Sequence, residues 1–263
     1  MKHTVLAVND GELLERLITK YGKVATAQQI EAEANSIWTY QQTHNRIQQL
    51  VKNGWLIRIK RGLYALNDLS SRDSLTLSPY VIAGLLVEQS YVSFEAALNY
   101  RGMFDQFVQR FTSVSLKQYK ETTLKSIRYR FIKTKEPFFI GWEQVEIENM
   151  PAKIATAEKA LVDLIHFRSG KYMVDLLIEE LQSYENELNI ENLLQYIGCA
   201  SQKTVKIFGF VFDLLGWDSG KLFQLIPDTR STHRINAGDK LFNSKWRLYY
   251  DSYFTKYQTG TGE

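Results

Sequence analysis

Three short runs of helically spaced apolar residues, a basic hairpin behind them and a later switch from strand-like to helical spacing predict an α+β chain. The N-terminal part reads as a winged helix-turn-helix over residues 1–68. A small α+β domain follows over 79–263 and turns helical from about residue 154. Polar Asn67–Ser78 is the expected linker, and two modules so joined are expected to carry independent cores.

Leu13, Leu14, Leu17, Ile18 and Tyr21 recur at helical spacing and stop at Gly22, which suits a left-handed cap. Thr26 with Gln29 forms a capping-box pair, and Ala27, Ile30 and Ala34 give the second helix its apolar face. Tyr40, Thr43, Ile47, Leu50 and Val51 fall on one stripe of a third helix that ends near Asn53 and Gly54. Leu56, Ile57, Ile59, Leu63, Tyr64 and Leu66 build two strands around Gly62.

Between Trp38 and Leu66 there is no Asp or Glu, while Arg46, Lys52, Arg58, Lys60 and Arg61 are present. Such a surface suits a polyanion. Opposite the buried stripe, the third helix places Thr39 at its start, then Gln41, Gln42, Asn45, Gln49 and Lys52, with Arg46 on the flank. Gln and Asn can bond adenine edges and Arg can bond guanine, so these are the candidate DNA readers. Arg58, Lys60 and Arg61 at the hairpin are candidates for gripping phosphate. The alternative is an ordinary solvated helix face.

Three blocks carry a resemblance: "LVKNGWLIRIKRGLYAL" (Leu50–Leu66), "SYVSFEAALNYRGM" (Ser90–Met103) and "IATAEKALVDLIHF" (Ile154–Phe167). Taken in order, they resemble the AbiEi antitoxins of bacterial abortive-infection, type IV toxin-antitoxin systems. The match spans roughly the first 170 residues. The resemblance implies an autorepressor that binds inverted repeats of double-stranded DNA in its own promoter, with a dimer on DNA as the expected form, and neutralises a nucleotidyltransferase-like toxin. The competing readings are a plain winged-helix regulator without a toxin and an RNA-binding accessory protein. For the last of these, Phe242, Trp246, Arg247, Tyr249 and Tyr250 supply interleaved rings and cations.

Residues 1–66 hold nine Lys or Arg against five Asp or Glu, and the other 197 hold 23 against 24, so the net charge of +3 belongs to the N-terminal part. A second excess spans Arg110–Lys135, where Arg110, Lys117, Lys120, Lys125, Arg128, Arg130, Lys133 and Lys135 face only Glu121. Ile127, Tyr129 and Phe131 alternate there with Arg128 and Arg130, a strand with one cationic face. It is a second nucleic-acid surface, the contact for an acidic partner, or a solvated face that guards a sheet edge.

Pro79–Glu88 and Phe94–Gly102 read as helices separated by Tyr91–Ser93. Phe111–Ser115, Arg128–Ile132 and Phe138–Ile140 read as strands, and Thr156–His166 as a helix. Tyr172–Leu181, Ile190–Ile197 and Val205–Leu215 have helical spacing, with Gly198 and Gly216 as stops. Lys245–Tyr253 reads as a closing strand, and Thr259–Glu263 is expected to fray.

No nucleophile elbow, paired zinc-binding histidines, Cys-x-x-Cys or Walker loop occurs, and no Lys has an acid two positions before it. His3, His44, His166 and His233 lack ligand spacing, so neither enzyme chemistry, metal nor cofactor is expected. His166 reads as a satisfied core or boundary residue, and the lone Cys199 as a small packed one. The longest apolar run, Val81–Val87, is too short for a membrane span, and no signal-peptide core follows Lys2 and His3, so a cytoplasmic protein is expected.

Overall fold

Helix α1 (Val8–Tyr21) buries Leu13, Leu14 and Leu17 along one side. This is the start of a computed structural model that describes residues 6–67, 77–226 and 231–257. Gly22 ends α1 with φ +74° and ψ −142°, so the stop needs glycine's positive φ but is not the left-handed cap expected. A short strand that the spacing did not reveal, β1 (Val24–Thr26), follows. The capping box of α2 (Ala27–Ala34) is formed, with Gln29 N donating to Thr26 Oγ1 at 3.2 Å and Thr26 N to Gln29 Oε1 at 2.8 Å.

Helix α3 (Tyr40–Lys52) buries Thr43, Ile47 and Leu50. Tyr40, expected on that stripe, is instead 68% exposed at the first turn, where none of the described residues covers it. Strands β2 (Leu56–Lys60) and β3 (Leu63–Leu66) form an antiparallel hairpin, and β1 pairs with β3, so the sheet order is β1-β3-β2. Leu17, Ile30, Ile47, Leu50, Trp55 and Leu66 meet in one core between the helices and this sheet. Asn67 closes the unit by donating to the Gly54 carbonyl at 2.9 Å. Beyond it, most of the Asn67–Ser78 linker lies outside the described residues.

After Ser78, Pro at the first helical position opens α4 (Pro79–Leu86). Next come β4 (Ser90–Val92), α5 (Phe94–Tyr100), β5 (Arg110–Ser115), β6 (Thr122–Leu124), β7 (Ile127–Lys133), β8 (Trp142–Ile147) and β9 (Met150–Ala155). They build a six-stranded mixed sheet in the order β6-β7-β5-β4-β9-β8, with β5–β7 and β4–β9 parallel. Tyr91–Ser93, read as a helix connector, therefore lies at the centre of the sheet. Phe138–Ile140 is not a strand: Pro137 cannot donate to a ladder, and Glu136–Phe138 forms a single 3-10 turn.

Phe111, Tyr129 and Phe131 on one sheet face pack with Ile82, Ala83 and Leu86 of α4. Ile57, Ile59 and Ala65 of the hairpin join the same cluster. The expectation of independent cores is thereby corrected. The inner side of the hairpin is too apolar to stand in water and is buried against α4.

The opposite sheet face carries α6 (Ala157–Arg168), whose residues from Glu158 to Ile165 are all buried. Around it pack α7 (Lys171–Ser183), α8 (Ile190–Gly198), α9 (Gln202–Leu215) and α10 (Gly220–Gln224). Gly216 ends α9 in the left-handed conformation, φ +74° and ψ +18°, as its spacing predicts, whereas Gly198 is the last residue of α8 rather than a stop beyond it. The chain closes with β10 (His233–Arg234), β11 (Leu241–Asn243) and β12 (Leu248–Tyr250), a small sheet ordered β10-β12-β11. Only Leu248–Tyr250 of the expected Lys245–Tyr253 strand is extended in the sheet. Thr259–Glu263, expected to fray, lies outside the described residues. The architecture is α+β. Among the described residues no helix is long and apolar enough to cross a membrane.

Candidate nucleic-acid interface

At about 100° per residue, the direction opposite Thr43, Ile47 and Leu50 on α3 is occupied by Gln41, Asn45, Gln48 and Lys52. All four are exposed. The sequence reading omitted Gln48, although its place three residues after Asn45 and four before Lys52 puts it on the same face.

Four of the expected readers, Thr39, Gln42, Arg46 and Gln49, are otherwise engaged. Gln42 Oε1 accepts from Thr39 N at 2.9 Å and Gln42 N donates to Thr39 Oγ1 at 3.5 Å, so both residues cap the helix. Arg46 is half-buried: it donates to Gln49 Oε1 at 3.1 Å, lies 3.7 Å from Asp10 Oδ2 and sits 5.7 Å from the Trp38 ring centroid. It braces α1 against α3, with Gln49 as its partner.

In the hairpin, Ile57 and Ile59 point inward and Arg58 outward. A register irregularity between Arg58 and Lys60 turns Lys60 back toward α4, where its Nζ donates to the Leu86 carbonyl at 3.3 Å. Arg61 at the Gly62 turn is exposed. Among the described residues Arg58 and Arg61 are therefore the cations of the tip without a partner, and Lys60 is shared with the second part of the chain.

The structure separates the residues of the second basic excess. Arg128 and Arg130 are exposed on one face of β7. Strand β6 covers only Ile127–Tyr129 of that strand, with Thr123 opposite Arg128, so guarding an edge does not explain Arg128, whereas Arg130 lies where β7 has no outer strand among the described residues. Lys125 lies in the β6–β7 turn, while Lys117 and Lys120 lie in the β5–β6 connection. Lys133 stands at the far end of β7, beside an open cavity of ≈590 Å³ that His166, Phe138 and Cys199 also line. Cys199 is exposed at the end of α8 rather than packed.

His166 is satisfied, as its position on an apolar helix predicts. Its Nδ1 accepts from Ser201 N at 3.2 Å, and its ring stacks on Phe138 at 4.3 Å. Burial, helped by the Lys159 charge, lowers its pKa to about 4. Trp246 of the C-terminal aromatic group is buried: its indole occupies the space where a Cβ on Gly209 would stand, and its Nε1 donates to Asp213 Oδ2 at 2.6 Å. It is unavailable for base stacking.

A buried network was missed in the sequence. Lys159 and Asp163, one turn apart on α6 and both without solvent exposure, form an ion pair. Ser93 Oγ and Tyr91 Oη donate to Asp163 Oδ2 at 2.6 and 3.2 Å, and the Lys159 ammonium lies 3.5 Å from the Phe138 ring centroid. Burial lowers the Lys159 pKa and raises that of Asp163, each opposed by the partner's charge. The i,i+4 spacing was visible, but on a helix without its environment it reads as a surface pair. Among the described residues no group of three or more His, Cys, Asp or Glu could hold a metal ion.

No family model and no curated protein matches the chain. Its fold is similar to the crystal structure of the Rv2827c protein from Mycobacterium tuberculosis, with a TM-score of 0.66 over 93% of this chain and 92% of that one. The two are 11% identical, so the likeness is one of fold alone.

Proposed function

We propose that the chain is a DNA-binding transcriptional autorepressor and the antitoxin of a type IV toxin-antitoxin system, directed against a nucleotidyltransferase-like toxin. One observation carries the reading. The outward face of α3 and the tip of the β2–β3 hairpin offer exposed amides and cations, and no acidic residue lies between Trp38 and Leu66.

In this reading residues 1–68 are a winged helix-turn-helix. Helix α3 enters the major groove, where Gln41, Asn45 and Gln48 meet base edges, and Lys52, Arg58 and Arg61 hold phosphates. Two copies occupy the inverted repeats of the promoter. Residues 79–263 meet the toxin in the cytoplasm, by binding rather than catalysis and without cofactor or metal. Support for this half comes from the two downstream blocks of the resemblance. Ser90–Met103 contributes Tyr91 and Ser93, Ile154–Phe167 contributes Lys159 and Asp163, and the four side chains meet in one buried network.

The test is a gel-shift titration of the full chain against its own upstream duplex and a scrambled duplex, paired with co-expression beside the neighbouring nucleotidyltransferase-like gene. Preference for the native duplex together with protection of the cells is the expected result. Equal affinity for both duplexes rejects the repressor. Specific binding without protection leaves a plain regulator.

A further inference from the structure

Strands β5 and β7 run parallel with Arg110 opposite Arg128 and Thr112 opposite Arg130, so these four side chains share one sheet face. It is the face that carries α6 further along, where Val114 is buried. At Thr112 the covering ends. Arg168, at the end of α6, donates to Thr112 Oγ1 at 2.6 Å and to both Glu95 oxygens at 2.8 and 3.0 Å, which occupies the nearest carboxylate. Arg110, Arg128 and Arg130 beyond it are exposed, with no side-chain ion pair or hydrogen bond among the described residues.

Rings stand beside these cations. Phe107 is 83% exposed and Tyr172 56%, and with Arg110 and Arg168 they line an open depression of ≈260 Å³. A Phe so far out in water contributes nothing to this fold and is available to a partner with a flat π-face. Arg128 and Arg130 are separated by two residues of strand rise, about 6.6 Å, a step that an extended sugar-phosphate chain covers with roughly one nucleotide.

We infer that this uncovered sheet face binds a single-stranded nucleic acid, with Arg110, Arg128 and Arg130 on its phosphates and Phe107 and Tyr172 stacked on its bases. A duplex offers the phosphates but keeps its bases stacked inside, so the rings have no use for it. An acidic protein fits less well on the strand face itself, because Thr123, exposed opposite Arg128, stands where an interface core would place an apolar anchor. This surface is separate from α3 and the hairpin and does not depend on operator binding.

The test is fluorescence anisotropy of the full chain with labelled 12-nucleotide oligo-U and oligo-dT and with a duplex of equal length, at several salt concentrations. Arg128→Gln with Arg130→Gln should weaken single-strand binding at least about tenfold and shallow the slope of log K against log salt by about 1.4, the counterions of two phosphates. Arg110→Gln should act in the same direction. Phe107→Ala should weaken single strands roughly fivefold or more and leave the duplex unchanged, and Arg61→Ala should leave single strands unchanged. Thermal melts should coincide, since every substituted side chain is exposed. The inference is overturned by absent single-strand binding, by binding that survives the arginine or Phe107 substitutions, by its loss in Arg61→Ala, or by an arginine variant that loses only capture of the nucleotidyltransferase-like protein, which would identify an acidic protein partner.

Discussion

The Gln42 side-chain oxygen accepts from the Thr39 backbone N–H at 2.9 Å, so a residue with base-reading chemistry is committed to the start of its own helix. Asn45, one turn on, has no such duty. Gln42→Ala should therefore lower stability, by about 0.5–2 kcal/mol on the scale of a lost cap, and weaken specific and random DNA alike. Asn45→Ala should leave the denaturation midpoint unchanged and cost about 1–3 kcal/mol on the specific duplex only. Matched behaviour of the two variants in denaturant and gel-shift titrations would remove Gln42 from the cap or Asn45 from the groove.

The hairpin divides its cations between two tasks. Arg58→Ala and Arg61→Ala should each shallow the salt dependence of log K by up to about 0.9 on a duplex. Lys60→Ala should change it less, because the Lys60 ammonium already rests on the Leu86 carbonyl. A Lys60 variant with the larger slope change would show that this hydrogen bond yields when DNA arrives.

The parts that were legible in the sequence are those where a local signal coincides with the global packing. The Thr26–Gln29 box, the Gly216 stop and the alternation of β7 all state locally what the fold does. The missed strands lack such a signal. Strand β1 has three residues, too few to show a period. The β8–β9 hairpin turns through Glu148 and Asn149 at φ +52° and +60°, a geometry usually announced by Asn-Gly, and β9 contains Pro151. The site was half legible for a related reason. Periodicity says which way a side chain leaves the helix, but not that Arg46 will find Asp10 or that Lys60 will find Leu86.

The Lys159–Asp163 pair joins the centre of the sheet to α6 through Ser93 and Tyr91. Asp163→Ala would leave an ammonium buried without its counter-charge, and the expected loss is about 3–5 kcal/mol. Lys159→Met with Asp163→Leu removes both charges and should recover most of it. A double variant as unstable as the single one in urea denaturation would place the loss in the hydrogen bonds of Ser93 and Tyr91 instead.

Burial, then the charges of Glu179 and Asp105, push the Glu180 carboxyl from its ordinary 4.5 up to about 7. In that interval the folded chain holds a proton that the unfolded chain has released. The contribution of Glu180 is therefore fully present below pH 4.5 and is lost as the pH rises through 7. Glu180→Gln should raise the melting temperature above pH 7 relative to the unsubstituted chain and leave it unchanged near pH 4. Parallel melting profiles for the two proteins across that range would show that Glu180 titrates normally.

Cutting the chain at the linker tests how far its two parts depend on one another. Ile57 and Ile59 of the hairpin are buried in the cluster that contains Ile82, Ala83 and Leu86 of α4. Removing residues 1–76 would bring that apolar face of α4 into water, and an uncovered patch of this kind promotes association. The 77–263 fragment should therefore self-associate in sedimentation and melt below the full chain. Ile59→Ala in the full chain creates a cavity at the same junction and should cost about 2–5 kcal/mol, felt on both sides in one cooperative transition. DNA contacts made by Arg58 and Arg61 would then bear on the α4 side of the sheet through the strand that holds Ile57 and Ile59. A monomeric 77–263 fragment that melts at the temperature of the full chain would show that the shared cluster adds nothing to the stability of that part and sever the link.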